Sequence, residues 1–231
     1  NEQLRANLLR AISHDLRTPL TTISGNANIL LANGTQIGED TKIRLYADIY
    51  DDARWLIHLV ENLLSITRIE DGTMQIHMKA ELIEEVIHEA LKHINRKSNE
   101  HIIKVEYTEN LLMAKLDVRL IIQVLINLID NAIKYTPIGS EIIISTKQRD
   151  DWIVVDVADN GHGIDAVAKE RLFEMFYSAS QSIADSRRGM GIGLALCKSI
   201  IQAHGGTLTV HDQSPSGSIF RFTLQSQEVD L

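Results

Sequence analysis

The residues best suited to chemistry in the first part of the chain are His14, Asp15 and Thr18, within the run Ser13–Leu20. Apolar residues around this run recur every three or four positions, which predicts a helix with one buried face. His14 and Thr18 lie one turn apart on the opposite face, beside Asp15, so an imidazole, a hydroxyl and a carboxylate face solvent. An exposed histidine can be a nucleophile or an ordinary solvated side chain, and the run alone leaves both open. Pro19 lacks an N–H, so we expect a bend there.

Composition restricts the class of protein before other motifs are considered. The chain has 231 residues, of which 44% are hydrophobic and 23% charged, as in globular proteins. A net charge of −8 argues against nucleic acid as a partner, because no basic surplus can neutralise phosphates. The single cysteine excludes an internal disulfide framework. No apolar stretch reaches the roughly 18 residues of a membrane span. The chain starts in helical rhythm without Met, so we expect the cytoplasmic portion of a longer protein.

Two long helices are predicted in the first 72 residues. The first spans residues 1–33, and the second begins after an N-cap at Asp40 and ends at Gly72. A short loop joins them into an antiparallel hairpin about 45 Å long. One hairpin cannot cover its own apolar stripes, whereas two form a four-helix bundle. We therefore predict a homodimer through residues 1–72.

Residues 73–231 form the second predicted domain, which mixes strands and helices without regular βαβ alternation. This mixture favours an α+β class, with an α/β sandwich in which helices cover one face of a mixed sheet. Strands are predicted at 74–78, 102–107, 111–116, 141–147, 152–158, 207–211 and 218–224. Helices are predicted at 82–95, 117–135 with Asp117 as N-cap, 166–171 and 191–204, and a mobile polar loop at 174–188.

One flank of the predicted helix 117–135 carries Asn127, Asn131, Lys134 and Tyr135. Amide oxygens there can complete the octahedral shell of a phosphate-bound Mg²⁺. The lysine can bind phosphate, and the tyrosine ring can cover a flat base. Taken alone, this flank can equally be an ordinary solvated surface.

Two glycine-rich segments complete the candidate site. Asp159–Ile164 follows a strand, where an aspartate can accept a hydrogen bond from an exocyclic amine and glycines allow close backbone approach. Gly189–Leu194 opens a helix, whose free N–H groups and dipole can hold an anion. Alone, the first segment also fits an ordinary turn and the second a flexible hinge. The glycines concerned are Gly161, Gly163, Gly189, Gly191 and Gly193.

Taken in order, these segments resemble the motifs of the histidine kinases of two-component signalling. Ser13–Leu20 resembles the H box, Asn127–Thr136 the N box and Asp159–Ile164 the G1 box. Phe173–Tyr177 resembles the F box and Gly189–Leu194 the G2 box. The resemblance covers essentially the whole chain, and five motifs in order are far more specific than any one of them.

The resemblance implies a fold and a function. It implies a dimeric phosphotransfer hairpin followed by the sandwich shared with gyrase- and Hsp90-type ATPases, with ATP and Mg²⁺ as cofactors. It also implies transfer of phosphate to the receiver domain of a response regulator, with phosphatase activity in the reverse signalling state. Contact with a membrane would come only through regions absent from this chain, as part of a membrane-bound sensor. The run Leu4–Leu20 is also similar to that of the potassium- and turgor-sensing members.

The resemblance further implies a role for each matching residue of the first helix and the N box. His14 is the phospho-acceptor and Asp15 its acid/base partner. Thr18 positions water in the phosphatase reaction. Asn131 holds Mg²⁺, with Asn127 beside it.

The remaining roles concern the nucleotide. Asp159 binds the adenine amine, Tyr135 packs near the base and Lys134 contacts phosphate, while residues 174–190 form a lid over ATP. Many members of the family carry a basic residue just after the F box, where this chain has Ser178-Ala179-Ser180. Two arginines before the G2 box are candidates to supply that charge, namely Arg187 and Arg188.

Two other classes compete with a kinase. A non-catalytic dimeric scaffold would bind nucleotide without phosphorylating His14; the intact Asn131 and Asp159 argue against it, and the missing basic residue argues for it. A gyrase- or Hsp90-like ATPase would turn over ATP without a phosphoenzyme. Such enzymes activate water with a glutamate where this chain has Asn127, and they need no H box.

Overall fold

The computed structural model describes residues 2–70, 75–94, 100–108, 111–175, 177 and 191–227, with side chains from Leu16 onwards except at 58 and 66–70. The chain divides into two compact units, Asn1–Glu70 and Asp71–Leu231. Helices are α1 (Glu2–Asn33), α2 (Glu39–Glu70), α3 (Ile83–Lys92), α4 (Val118–Tyr135), α5 (Ala166–Arg171) and α6 (Gly193–Ala203). Strands are β1 (Lys79–Leu82), β2 (Ile102–Tyr107), β3 (Met113–Leu116), β4 (Glu141–Arg149), β5 (Trp152–Asp159), β6 (Leu208–Asp212) and β7 (Ser218–Gln225).

The first unit is the predicted helical hairpin, with Pro19 inside α1. The predicted N-cap at Asp40 is wrong, because α2 begins at Glu39. The carbonyl of Gly38 accepts the N–H groups of Thr41 and Lys42, at 3.0 and 3.1 Å. Asp40 therefore lies within the first turn, where a carboxylate interacts favourably with the helix dipole.

The hairpin leaves much of its apolar surface uncovered. Leu20, one of the apolar residues at helical spacing that the sequence analysis placed on a buried face of α1, is 53% exposed, and Tyr46 of α2 is 59% exposed. Other exposed apolar side chains of the two helices are Ile29, Leu31, Ile43, Tyr50, Ile57, Val60 and Leu64. The spacing predicted that the apolar side chains of each helix share a face, but a single hairpin does not bury that face.

The second unit has the predicted α+β architecture. Its five-stranded sheet has the order β2-β4-β5-β7-β6, in which only the β2–β4 pair is parallel. Helices α3, α4 and α6 pack side by side, and α4 and α6 contact the sheet. Every second residue of the central strands points into this layer. The resulting core includes Ile121, Leu125, Leu128, Ile142, Ile144, Ile153, Val155, Phe222 and Leu224, all fully buried.

The strand predicted at 74–78 is wrong. Residues 75–78 have no regular structure, and the strand is instead β1, which pairs antiparallel with β3 in a separate two-stranded sheet. The backbone N–H of His77 donates to Asp117 Oδ2 at 3.0 Å, so this segment binds the N-cap of α4 and not a neighbouring strand. Helix α6 begins at Gly193, two residues later than predicted. Gly72 and most of the predicted loop 174–188 lie outside the described residues.

A buried histidine joins the end of α6 to the start of α4. His204 is 4% exposed, and its Nε2 accepts the N–H of Asp117 at 3.0 Å, while its Nδ1–H donates to the carbonyl of Ile200 at 2.8 Å. These partners require the neutral imidazole. Burial lowers the pKa of His204, and its hydrogen bond to Ile200 and the charge of Asp117 oppose that shift only in part.

Acid is therefore expected to destabilise the second unit through His204. A histidine with a lowered folded pKa contributes its full stability above the ordinary pKa of about 6.5 and loses it as the pH falls through the folded value. Protonation leaves the Asp117 N–H without an acceptor, so we expect the free energy of unfolding to fall by about 1 to 3 kcal/mol. Urea unfolding near pH 7.5 and near pH 5.5 measures this loss.

The matched variants are His204→Gln and His211→Gln. Glutamine at 204 keeps an acceptor but does not titrate, so the acid-induced loss should shrink. His211 is exposed and its imidazole hydrogen-bonds to the nearby Thr209 hydroxyl at 2.9 Å, so His211→Gln should keep the full loss. Equal pH dependence in the two variants would contradict the role of His204.

Candidate active site

The centre of the candidate site is Asp159, at the end of β5. Asp159 is 9% exposed, and its Oδ1 accepts the N–H of Gly161 at 2.9 Å. The N–H of Ser218, on β7, also donates to this carboxylate. Burial raises the pKa of Asp159, and these two N–H bonds oppose the rise only in part. A desolvated carboxyl group of this kind gains most from a further hydrogen-bond donor, such as the exocyclic amine of a base.

Backbone packing around Asp159 requires glycine at two positions. A Cβ on Gly161 would lie 2.8 Å from Thr136 Cγ2 and 2.9 Å from Asp159 Oδ1. Gly217 has φ +121°, and a Cβ there would lie 1.9 Å from the carbonyl oxygen of Asp159. Gly163, at φ +76°, faces the carbonyl of the same Gly217. The β6–β7 turn therefore packs directly against the G1-box segment Asp159–Ile164.

The predicted flank of α4 keeps its four polar residues together. Asn127, Asn131 and Lys134 are half-buried, and Tyr135 is 52% exposed. The ammonium group of Lys134 lies 4.8 Å from the centroid of the Tyr135 ring. Helix α4 itself is fixed at its start by Asp117, whose side chain accepts the Arg119 N–H at 3.1 Å. Amide oxygens and an ammonium group on one flank are suited to a metal–phosphate ligand.

The start of α6 lies against this flank. A Cβ on Gly193 would lie 3.2 Å from Asn127 Oδ1, so the missing side chain leaves the amide beside the helix N-terminus. Gly191 has φ +65°, a left-handed conformation that favours glycine. The oxygen-bearing amides and the glycine-lined start of α6 fit a magnesium-bound phosphate chain. Arg187, Arg188 and Gly189 lie outside the described residues, as does nearly all of the predicted lid.

Helix α4 thus brings the motifs of the second unit together. Its last turn leads into Thr136, whose methyl group packs against Gly161, and its middle carries Asn127 beside Gly193. The sequence interpretation missed Gly217 and Ser218, which lie outside its motifs, and it gave no role to Thr136, the last residue of the N box. Thr136 is buried and donates to the Ala132 carbonyl at 2.7 Å. The signal that could have indicated the other two is the Ser-Gly-Ser run before β7.

The H-box residues lie on α1 in the first unit. The backbone of His14 and Asp15 is helical, and their side chains lie outside the described ones. Thr18 is exposed, and its carbonyl accepts the hydroxyl of Thr22 at 3.2 Å. Pro19, the next residue, is buried. An exposed hydroxyl one turn after His14 agrees with the predicted helix face.

Two family models match the chain. Residues 116–228 match the model described as histidine kinase-, DNA gyrase B- and HSP90-like ATPase. Residues 4–72 match the His Kinase A phospho-acceptor domain. The chain belongs to the sensor histidine kinases. Its ATPase region contains the Asp159 site and α4, and its phospho-acceptor region contains His14, so this histidine kinase chain carries both parts of a protein-histidine kinase.

Similar proteins include the sensor protein KdpD of Clostridium acetobutylicum, 44% identical over 98% of this chain and 25% of that protein. KdpD of Escherichia coli is 35% identical over the same shares. The histidine kinase chain therefore spans about a quarter of the length of these curated relatives.

Solved structures share its fold. The Acinetobacter baumannii histidine kinase AdeS is 26% identical with a TM-score of 0.67, over 93% of this chain and 98% of that one. Histidine kinase ThkA, solved in complex with the response regulator protein TrrA, is 22% identical with a TM-score of 0.66, over 98% of this chain and 64% of that one. At that identity, the likeness to ThkA concerns the fold alone. Within the described residues of the histidine kinase chain, no helix is long and apolar enough to cross a membrane.

Proposed function

We propose that this chain phosphorylates His14 with ATP and passes the phosphoryl group to an aspartate of a response regulator. The observation that carries the proposal is the site around α4. There α4 has the buried carboxyl group of Asp159 near its C-terminal end, through the contact of Thr136 with Gly161, and the Asn127 amide beside Gly193 at its middle. The first suits an adenine amine and the second a phosphate chain, so these two parts of α4 together have the chemistry needed for a nucleoside triphosphate.

The nucleotide would be held by side chains of both glycine segments and of α4. Asp159 would accept the adenine amine, and Tyr135 would cover the base. Lys134 would bind phosphate. Free N–H groups at the start of α6, within Gly189–Leu194, would meet the phosphate oxygens. Arg187 and Arg188 would supply positive charge in place of the missing F-box base.

Magnesium is the proposed second cofactor, and Asn131 and Asn127 are its proposed ligands. Mg²⁺ takes oxygen ligands and, when bound, neutralises charge on the transferring phosphate. The two asparagines would supply amide oxygens to the metal, and the absence of a side chain at Gly193 keeps the space beside Asn127 open.

In the proposed reaction a neutral ring nitrogen of His14 attacks the γ-phosphorus of ATP. An N–P bond forms as the bond from phosphorus to the bridging oxygen breaks, and ADP leaves. Asp15 accepts the proton of the other ring nitrogen as positive charge develops on the imidazole. The phosphoryl group then passes from nitrogen to a carboxylate oxygen of the receiver, which regenerates His14.

We assign residues 1–72 to dimerisation and phosphotransfer and residues 73–231 to ATP binding. Exposed apolar side chains on both helices of the hairpin support a homodimer, because a second hairpin would cover them in a four-helix bundle. The mixing of His14→Gln and Asn131→Asp chains tests this assembly. If the dimer forms, mixed samples contain heterodimers in which one protomer keeps His14 and the other keeps Asn131. Such heterodimers should regain labelling when the phosphoryl group passes from the nucleotide of one protomer to His14 of the other.

Two further parts of the proposal concern the signal that the whole protein senses and a phosphatase activity. The similarity to KdpD supports potassium or turgor sensing by the whole protein, in which this chain would be the cytoplasmic portion of a membrane-bound sensor. The exposed hydroxyl of Thr18 near His14 supports a phosphatase role in which it orients water. Loss of phosphatase activity with retained kinase activity in Thr18→Ala tests that role.

The function itself is tested by incubating the purified chain with ATP labelled at the γ- or the α-phosphate. We expect label from the γ-position only, stable in base and lost in acid, as for a phosphorus–nitrogen bond. Multiple turnovers of ATP with no labelled chain would instead support a gyrase- or Hsp90-like ATPase. Nucleotide binding with neither label nor turnover would support the scaffold.

A further inference from the structure

The only cysteine of the chain lies behind the proposed phosphate end of the site. Cys197 is fully buried in α6, and its thiol donates to the Val124 carbonyl of α4, with 3.8 Å between sulfur and oxygen. The side chain of Asn127 hydrogen-bonds to the same sulfur. Burial raises the pKa of this thiol far above its ordinary range, so it stays protonated and is not a nucleophile.

The other end of the Asn127 side chain faces Gly193, one helical turn before Cys197 on α6. Oδ1 of Asn127 lies 3.2 Å from the position of a Cβ on Gly193. Residues four apart on a helix share a face. The carboxamide therefore lies along one face of α6, with its oxygen at the first turn and its nitrogen available to the sulfur.

The two ends of a carboxamide have nearly the same shape but opposite hydrogen-bonding roles, because the oxygen accepts and the nitrogen donates. Because the S–H of Cys197 is used by Val124, the sulfur offers lone pairs to Asn127. A lone pair binds the NH₂ end of the amide, so the oxygen must point the other way. We propose that Cys197 is a positioning residue that holds the Asn127 carboxamide with Oδ1 towards the first turn of α6.

This orientation matters for binding because only the oxygen end can ligate a cation. That consequence rests on the function proposed above, whereas the orientation of the amide does not. Loss of a side chain that orients a metal ligand typically costs about 10- to 100-fold in affinity. A thiol is a weak partner, so we expect the lower end of this range.

Calorimetric titration of the full chain with ADP, in Mg²⁺ and in EDTA, tests the consequence. Cys197→Ala should weaken binding about tenfold in Mg²⁺ and less than about twofold in EDTA. Cys197→Ser keeps a donor and an acceptor and should restore binding to within about threefold of wild type. Ile201→Val removes one methylene from the buried face of the same helix and should leave both affinities unchanged.

A double-mutant cycle separates positioning from general packing. In an Asn127→Ala chain, Cys197→Ala should cause no further loss of affinity in Mg²⁺. Equal losses in Mg²⁺ and in EDTA, or losses that add in the double variant, would overturn the proposed role.

An observation without nucleotide tests the orientation alone. In wild type and in Cys197→Ser, the side-chain NH₂ signals of Asn127 in ¹H–¹⁵N spectra should be dispersed and slow to exchange. In Cys197→Ala they should move towards the values of exposed amides, while the signals of Asn131 stay in place. Unchanged Asn127 signals in Cys197→Ala would overturn the inference. If wild type binds no ADP at all, the proposed function fails, and these signals still decide the orientation.

Discussion

Replacement of Asp159 by Asn is expected to weaken ATP binding about 100-fold, or about 2.7 kcal/mol. The carboxylate accepts the N–H groups of Gly161 and Ser218 and is the proposed acceptor for the adenine amine. An amide in its place keeps its oxygen for the backbone N–H groups and turns its NH₂ group towards the adenine amine, and a buried donor that faces another donor costs about 1 to 3 kcal/mol in the complex. Titration with ATP measures the loss.

The same change should leave the free energy of unfolding of the unliganded chain nearly unaltered. Burial raises the pKa of Asp159, so this carboxyl group contributes stability below its ordinary pKa and loses it as the pH rises through the folded value. At neutral pH a neutral amide removes that electrostatic cost, which offsets its poorer hydrogen bonds. We expect a net change within about 1 kcal/mol in urea unfolding.

Asp212→Asn is the control for Asp159→Asn. Asp212 is exposed on β6 and pairs with Lys169 at 2.5 Å, so it should change neither binding nor stability appreciably. Wild-type affinity in Asp159→Asn would show that the carboxylate does not bind the nucleotide. A large loss of stability in that variant would mean that the weaker binding reflects unfolding.

Replacement of Gly217 by Ala is expected to cost about 3 to 5 kcal/mol of stability and most nucleotide binding. A Cβ would lie 1.9 Å from the Asp159 carbonyl oxygen and 3.0 Å from Asn160 Cα, so the G1 segment must move. The positive φ of Gly217 adds about 1 kcal/mol of backbone strain. For a unit of this size, we expect the midpoint of thermal unfolding to fall by about 10 °C.

Gly205→Ala distinguishes crowding from backbone strain. Gly205 has φ +75° and no atom within 4 Å of an added Cβ, so alanine there suffers only the conformational cost. We expect a loss of about 1 kcal/mol and unchanged ATP binding. If the two glycine variants are equally stable, the β6–β7 turn does not support Asp159 as described.

The parts of the fold that the sequence predicted well have local causes. Helix α4 is bounded by an aspartate whose side chain accepts Arg119 N–H, and its apolar stripe recurs at helical spacing. Strands β4 and β5 are rich in β-branched apolar residues on both sides of a turn at Asp150, which takes a positive φ of 51°. Signals of this kind lie within a few residues of the element that they define.

The parts that were wrong or missed depend on contacts between distant residues. The segment 75–78 looked like a strand, but its N–H at His77 binds Asp117, forty residues away in sequence. Gly217 and Ser218 complete the surroundings of Asp159 from the far end of the chain. Cys197 contacts the proposed magnesium ligand Asn127 only because α6 packs on α4. No spacing rule within one element indicates such pairs.

The most direct test of the proposed kinase reaction is to determine which histidine carries the phosphate. His14→Gln, His88→Gln and wild type, each as the full chain, are incubated with γ-labelled ATP and then treated with acid or base. His88 is exposed on α3, and its ring bonds the Glu84 carbonyl at 3.1 Å, so it serves as the control. We expect an acid-labile label in wild type and His88→Gln and none in His14→Gln, which should still bind ATP. An acid-labile label that persists in His14→Gln would contradict this reaction.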